Sequence, residues 1–306
     1  MKILIAGATG LVGRDLVSLC VEKGLEINFL TTKKEKLGSI ANAKGFYWNP
    51  AEGEIDVNCL EGVSAVINLA GAPIAKRWTS AHKEEILNSR VQSLSTLYRG
   101  LEQMEQGSVT SFVSASATGI YPHSLTTYYN ENDRVHADGF AASVVEAWEE
   151  EAERINRLVP QLAIIRIGLV LTNQGGVLLK MAKPVDLYAG AAFGSGKQWQ
   201  SWIHVRDLSR MLLYVCEKNL AGKFNAVAPN PVTQNKLIKE LAKVLNRPVF
   251  LPNIPSVILR ILLGEMSEIL TSSQRVSSKK IESYGFDFKY QNICAALDQL
   301  YVEIPD

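Results

Sequence analysis

The chain has 306 residues, with 32 Lys+Arg against 31 Asp+Glu, 47% hydrophobic residues, 22 Gly and 11 Pro, a globular composition that excludes disordered and collagen-like classes. A net charge of +1 leaves no surplus of Lys and Arg to exchange counterions, so neither nucleic acid nor a polybasic membrane contact is expected. Cys20, Cys59, Cys216 and Cys294 show no C-x-x-C spacing, which argues against a zinc site or a disulfide framework and for a reducing cytoplasm.

Met1-Lys2 runs straight into a short apolar strand, Lys2 to Ala6, too short for a signal-peptide core. No uncharged apolar run of ~18 residues follows, so no membrane span is expected. The next strand-length apolar runs are Glu26 to Thr31, Ala65 to Ala70, Ser111 to Ala115, Leu162 to Leu171 and Phe224 to Ala228. Between and after them, helical patterns cover Leu11 to Lys23, Ala81 to Glu105, Gly139 to Leu158, Asp207 to Lys218 and Thr233 to Leu245, with Asp207 and Thr233 suited to N-capping. Short, fully apolar strands alternating with helices throughout specify an α/β fold, a doubly wound parallel sheet covered on both faces. From about Arg247 the composition changes: Pro248, Pro252 and Pro255 punctuate short helical pieces, Ile254 to Leu263 reads as a packed helix, and the next strand-like run is the aromatic cluster Tyr284 to Tyr290. The expected division is a dinucleotide-binding domain over 1–228, with substrate-facing elements from about 172–204, and a small, mainly helical C-terminal substrate-side subdomain over 229–306.

In such folds the ligand lies beyond the carboxyl ends of the strands. The first strand opens there into Gly7-Ala8-Thr9-Gly10-Leu11-Val12-Gly13, a G-x-x-G-x-x-G run that leads directly into an amphipathic helix. A Cβ would block the tight turn, the approach of a pyrophosphate and the packing of helix on strand, while the helix N-terminus offers free N–H groups. This strand, loop and helix sequence marks a Rossmann-type dinucleotide site. Where an NAD site usually carries Asp or Glu for the ribose 2′-OH, the second strand ends in Thr31-Thr32-Lys33-Lys34. Two hydroxyls and two ammonium groups suit a 2′-phosphate, so NADP(H) is expected in preference to NAD(H).

With these residues in view, the chain resembles the extended short-chain dehydrogenase/reductase superfamily, in its epimerase-like (NAD-dependent epimerase/dehydratase) branch with an appended C-terminal domain of unknown function. The resemblance spans the whole chain and rests on Asn68-Leu69-Ala70-Gly71-Ala72-Pro73-Ile74, Arg77-Trp78, Ser89-Arg90, Gly194 to Trp199, Ser201 to His204, Leu263 to Met266 and Ser273 to Val276. It implies a cofactor over Gly7 to Gly13 with Asn68, Leu69, Ala70 and Gly71 beneath it. Glu85 and Arg90 would face the cofactor from the long helix, and Ser114, Ala115 and Ile167 would approach it from the later strand ends.

The chemistry departs from that family. Its members pair a Ser or Thr after a central strand with Y-x-x-x-K on the following helix, where the Lys lowers the Tyr pKa. Here Ser114-Ala115-Ser116-Ala117-Thr118-Gly119-Ile120-Tyr121 lies at the strand end, and alignment on Tyr121 puts Ala117 at the hydroxyl position. Phe140 and Val144 occupy the Tyr and Lys positions, and neither transfers a proton. Ser116, Thr118 and Tyr121 are the substitute candidates, with Tyr128 and Tyr129 as further phenols. The competing reading is a capped strand end beside an aromatic-lined loop.

On the substrate side, Arg166 interrupts an apolar strand, so it either pairs with a carboxylate or faces the ligand. Lys197, Trp199 and Trp202 stand in a loop of the kind that grips a ring, though both tryptophans also suit the seam between sheet and tail. The four histidines show no ligand spacing, and no metal is expected. The reading is an NADP(H)-dependent epimerase/dehydratase or oxidoreductase acting on a hydroxylated small molecule such as a sugar nucleotide, with a homodimer as the candidate assembly. The alternatives are a non-catalytic NADP(H)-binding sensor or partner protein and, third, a scaffold that merely keeps the fold.

Overall fold

The computed structural model describes residues 1–105 and 107–302, so residues 303–306 of the expected tail lie outside it. The strands are β1 (Lys2–Ala6), β2 (Glu26–Thr31), β3 (Ala43–Asn49), β4 (Glu54–Ile55), β5 (Ala65–Asn68), β6 (Ser111–Ala117), β7 (Tyr128–Tyr129), β8 (Gln161–Ile167), β9 (Leu169–Leu171), β10 (Trp199–Gln200), β11 (Trp202–His204), β12 (Gly222–Ala226), β13 (Val232–Thr233) and β14 (Arg275–Val276). The helices are α1 (Leu11–Glu22), α2 (Ser80–Glu102), α3 (Phe140–Glu153), α4 (Gly176–Asp186), α5 (Val205–Glu217), α6 (Gln234–Val244), α7 (Ser256–Leu263), α8 (Ser267–Thr271), α9 (Lys279–Ser283) and α10 (Ile293–Tyr301).

Eight strands form one sheet in the order β12-β8-β6-β5-β1-β2-β3-β4. Within this sheet the β3–β4 pairing alone is antiparallel among the described residues. The order runs outward from β1 in two directions, so the switch point of the doubly wound sheet lies between β1 and β5. One face packs Leu16, Val17 and Cys20 of α1 with Met211, Leu212 and Val215 of α5. The other packs Leu94 and Leu97 of α2 with Trp148 and Ala152 of α3. A third core joins Leu178 and Met181 of α4, Trp202, Leu237 and Leu241 of α6 and Leu297 of α10, so the stretch before the tail and the tail itself share one apolar interior.

Several sequence expectations change. Strand β3 was not expected, because only Phe46 and Trp48 of Ala43–Asn49 point inward and the run alternates instead of being uniformly apolar. The connection from β2 to β3 carries a single 3₁₀ turn, Lys34–Lys36, in place of an α-helix, so the β–α alternation lapses there. The Leu162 to Leu171 run breaks into β8 and β9 at Gly168, where a Cβ would collide with the Ser201 carbonyl. Finally, Ile254 to Leu263 is helical from Ser256, but only Leu259 of α7 is buried, so the helix is not packed on its outer side.

At α5, His204 is the N-cap: its Nδ1 accepts from Arg206 N–H at 3.1 Å. Asp207, read as that cap from sequence, is wholly buried inside the first turn. Its carboxylate accepts the Lys289 and Tyr290 N–H groups at 3.0 and 2.8 Å and pairs with Arg210 at 2.6 Å. The aromatic cluster at 284–290 is therefore not a strand. It is an irregular segment pinned by Asp207, with Phe286 and Phe288 inserted in the α1–α5 core. Asp207→Ala should lower unfolding stability by about 2–4 kcal/mol, since it strands two buried N–H donors and removes a charge-assisted contact. A loss below about 1 kcal/mol in urea denaturation would show that the tail is held by apolar packing alone.

Candidate active site at the switch point

Gly7 leaves β1 with φ +83, and a Cβ there would lie 2.8 Å from the carbonyl carbon and oxygen of Leu69. A Cβ at Gly13 would run into the Gly7 carbonyl and the Ala8 backbone. These two glycines are required by the chain's own packing. Gly10 differs: it is the extended N-cap of α1, and its Cβ would meet only the Gly7 carbonyl oxygen at 3.1 Å. What glycine keeps clear at position 10 is the space above the helix N-terminus. No side chain caps α1 and no acidic residue occupies its first turn, so the N–H groups of Leu11, Val12 and Gly13 remain available to an anion. The Thr9 carbonyl accepts from Arg14 Nε at 2.9 Å, which steadies the loop.

The opposite wall comes from the end of β5. Asn68 is fully buried; its Oδ1 accepts Ala70 N–H at 3.1 Å and its Nδ2 donates to the Ser93 hydroxyl at 3.2 Å. Ser89 accepts Ala72 N–H at 2.9 Å, so two serines of α2 hold the Leu69-Ala70-Gly71 turn. A Cβ on Gly71 would sit 3.3 Å from the Arg90 guanidinium carbon. Arg90 stacks over Trp148 at 4.9 Å and donates to the Ile86 and Ala72 carbonyls at 2.9 and 3.3 Å. Among the described residues no carboxylate pairs with it, and burial pulls its pKa down to about 10. A desolvated cation without an anion is costly, and a dinucleotide pyrophosphate beside it would supply the missing charge. The residues present thus fit such a group.

Glu85 is exposed, and its carboxylate meets His82 Nδ1 at 2.8 Å while His82 Nε2 meets the Pro73 carbonyl at 3.0 Å. It braces the loop from the side, since a five-residue offset from Arg90 places it on another helix face. At the end of β2, Thr31 is buried and its hydroxyl accepts Lys33 N–H at 3.2 Å, whereas Thr32 and Lys33 are exposed. Lys34 lies over the Tyr47 ring at 4.9 Å. Among the described residues, neither lysine has a carboxylate partner.

Beyond β6 the structure joins several candidates into one buried network. Strand register sets Ser116 beside Arg166 and Arg166 beside Asn225, and Glu149 of α3 covers the row. Arg166 donates through Nε and Nη2 to the two Glu149 oxygens at 2.8 and 2.9 Å and through Nη1 to the Tyr121 hydroxyl at 3.0 Å. Ser116 donates to Glu149 at 2.7 Å, and Tyr121 donates to Asn225 Oδ1 at 2.9 Å. Burial pushes the Glu149 carboxyl up, but Arg166, with Ser116 and Lys223, outweighs it and holds the group below the usual range. Of the two readings of Arg166, the structure has the carboxylate pair.

Thr118 is buried in the turn after β6 and, among the described residues, its hydroxyl has no hydrogen-bond partner. Ser114 and Ala115 are buried inside β6, short of the strand end, and Ile167 closes β8 between the two main cores. Phe140 packs edge-on against Trp78, centroids 4.9 Å apart, and Val144 is buried with Trp78, Ile86 and Met266. The Tyr and Lys positions are therefore filled by an apolar cluster that the tail completes. On the far side, Lys197 is exposed, and half-buried Trp199 donates to the Leu125 carbonyl at 3.0 Å beneath Arg275. Trp202 is wholly buried, with Nε1 donating to the Asn230 carbonyl at 3.0 Å, so it fills the seam.

Sequence reasoning missed Glu149, although its place four residues after buried Val145 puts a carboxylate on an apolar helix stripe, the natural partner for the lone strand arginine. It also missed Ser93, for which no sequence signal existed.

Comparison with known proteins agrees with this geometry. The model of the NAD dependent epimerase/dehydratase family matches residues 3–147, and that of a domain of unknown function, DUF1731, matches 254–300. An "Epimerase family protein" of Staphylococcus epidermidis is 37% identical over 300 residues, 98% of each chain. The solved human epimerase family protein SDR39U1 (isoform 2) with NADPH is 26% identical, covers 99% of this chain and 100% of that one, and superposes with a TM-score of 0.86. A UDP-glucuronic acid 4-epimerase from Bacillus cereus, in complex with UDP-glucuronic acid and NAD, shares the fold at 14% identity and a TM-score of 0.78. With its glycine turn at the switch point, its parallel sheet and its helical tail, the chain belongs to the epimerase family, as an epimerase/dehydratase-type Rossmann domain carrying a DUF1731 C-terminal region.

Proposed function

We propose that the protein binds NADP(H) in preference to NAD(H) and acts in the cytoplasm on a hydroxylated small molecule, a sugar nucleotide being the favoured class, as an epimerase/dehydratase or oxidoreductase without the Tyr-x-x-x-Lys pair. Two observations carry the cofactor reading together: the uncapped N-terminus of α1 after the glycine turn, and half-buried Arg90 at the Gly71–Ala72 turn, which has no carboxylate partner among the described residues. NADPH in the human relative's structure supports the same reading. In this proposal residues 1–228 hold the cofactor, while 172–204 and the tail from 229 face the substrate. When bound, the nicotinamide supplies the hydride chemistry.

The chain's own residues divide the remaining work. The N–H groups at 11–13 and Arg90 neutralise and orient the phosphates; Thr32, Lys33 and Lys34 receive the 2′-phosphate; the Trp78, Phe140, Val144 and Met266 cluster excludes water. Of the candidate hydroxyls, Ser116 and Tyr121 already spend their protons on Glu149 and Asn225. Thr118 is uncommitted and is proposed to hold or pass the substrate proton. The loss of both family proton-transfer residues favours one second reading, a non-catalytic NADP(H) sensor.

NADPH should bind roughly tenfold to hundredfold more tightly than NADH, from one charged contact worth about 1.5–3 kcal/mol; equal affinities by calorimetry would remove the preference. Gly10→Val should fold and lose NADPH binding, because its one backbone contact, the Gly7 carbonyl oxygen 3.1 Å from the Cβ, needs only a small shift while the side chain fills ligand space, and Arg90→Ala should weaken binding of NADPH and NADH alike. Retained affinity in both variants would reduce the glycine run to a turn.

Thr118→Ala should cut turnover of an identified substrate by about a hundredfold or more with NADPH affinity unchanged. Phe140→Tyr alone should restore nothing, since an unassisted phenol titrates near ~10. A fully active Thr118→Ala enzyme would place the proton source elsewhere, and stereospecific turnover of no sugar nucleotide despite tight NADPH binding would favour the sensor.

A further inference from the structure

The tail strand β14 runs between two segments of the preceding chain. On one side Arg275 and Val276 pair in parallel register with Tyr128 and Tyr129 of β7; on the other, Gln274 N–H donates to the Trp199 carbonyl of β10 at 3.2 Å. Residues alternate across such strands: Tyr129 and Val276 are buried together with Tyr121 and Val227, so Tyr128 and Arg275 face the other way. The Arg275 guanidinium carbon lies 4.5 Å from the centre of the Trp199 ring and 5.0 Å from that of Tyr128, one ring from each flanking strand. A guanidinium stacked in this way offers an acceptor its in-plane edge. Its Nε is buried without an acceptor, so the open edge is the Nη1–Nη2 fork, and among the described residues neither a carboxylate nor a carbonyl meets it. The frame around it is fixed: Trp199 N–H donates to the Ser273 hydroxyl at 3.0 Å, Ser273 N–H to His123 Nδ1 at 3.1 Å, and Gln274 Nε2 to the Tyr121 carbonyl at 2.6 Å.

We infer that Arg275 is the receptor for an organic carboxylate, held end-on by the Nη1–Nη2 fork, with Trp199 and Tyr128 flanking the ligand's carbon body. Charge points to an anion. The three segments that build the platform, 121–130, 194–204 and 270–278, contain no Asp or Glu, and their only Lys or Arg residues are Lys197 and Arg275. A half-buried guanidinium without an acceptor is costly, and an anion brought by a ligand removes that cost. Geometry selects the carboxylate. Phosphate sites gather several donors, from helix N-termini or loops of N–H groups, whereas here a single fork confined to its own plane is the receptor, which matches two coplanar oxygens. Tyr128 is 38% exposed, so an apolar ring surface continues beside the fork for the carbon skeleton. With the 194–200 loop and the tail proposed to face the substrate, the ligand is a carboxylated member of the hydroxylated substrate class; that assignment rests on the proposed function, while the site itself rests on its own residues.

The test titrates the full-length, nitrogen-15-labelled chain, saturated with NADPH, with benzoate, its neutral analogue benzyl alcohol, and inorganic phosphate at matched ionic strength. The Trp199 indole N–H resonance, identified by its loss in Trp199→Phe, is the reporter. Benzoate should move it saturably with a dissociation constant of ~1–10 mM, benzyl alcohol should leave it in place, and phosphate should bind about tenfold more weakly or less. Arg275→Gln should abolish the benzoate response. Arg275→Lys keeps the charge and the stem but loses the fork, and should weaken benzoate about tenfold or more; it carries the test should the Gln variant unfold. Unchanged NADPH affinity and thermal unfolding show that each variant is folded. No saturable shift by ~50 mM benzoate, an equal response to phosphate, or benzoate affinity unchanged in the Arg275 variants would overturn the inference. Binding is read with NADPH present and without turnover, so a negative result here leaves the proposed chemistry standing, and an inactive enzyme leaves this site standing.

Discussion

The site depends on one close approach. At the switch point the β1 and β5 loops part, and Gly7 passes the Leu69 carbonyl so closely that no side chain fits between them. That contact seats the glycine loop against the turn after β5. The α1 N-terminus forms one wall, and the Asn68 turn, held by Ser89 and Ser93, forms the other. Arg90 lies behind the turn, stacked on Trp148 and lacking an anion. The buried amide and the two serines are satisfied within the protein, so the turn is preorganised, while the α1 N-terminus and Arg90 have no anion among the described residues, a demand that a phosphate-bearing ligand fits.

The row Ser116, Arg166 and Asn225, crossed by Glu149, works on the other side of the site. Burying an ion pair costs several kcal/mol per ion before attraction repays it, and only complete hydrogen bonding makes it tolerable. Here Arg166 uses Nε, Nη1 and Nη2, and both Glu149 oxygens are engaged. Such a network rigidifies three strands and α3 at their ligand-side ends. The same network engages the Ser116 and Tyr121 hydroxyls, whereas that of Thr118 has no hydrogen-bond partner among the described residues.

The tail has two faces of opposite character. Inward, Met266 seals the cluster around Phe140 and Val144, Phe286 and Phe288 enter the sheet core, and Asp207 pins the backbone just after them, at Lys289 and Tyr290. Outward, α7 leaves Val257, Ile258, Ile261 and Leu262 exposed.

Much of the architecture was legible in sequence because it rests on local chemistry. Apolar strands marked the central sheet, and the glycines at 7, 10 and 13 marked its ligand-binding end, since a turn that excludes Cβ leaves a residue-type signature. Phe140 and Val144, at the positions where the family carries Tyr and Lys, stood out for the same reason. What the sequence left open depends on which residues meet across long separations. Asp207 to Lys218 reads as a helix, yet that it starts at Val205 with His204 as its cap while Asp207 reaches the 289–290 backbone follows from where the tail packs. Whether Arg166 met a carboxylate or a ligand was decided by α3 laying Glu149 over it. Helix α7 is written as a core helix, and only tertiary structure turns most of its apolar side chains outward, because hydrophobicity states that a residue is apolar but not which other residues will reach it.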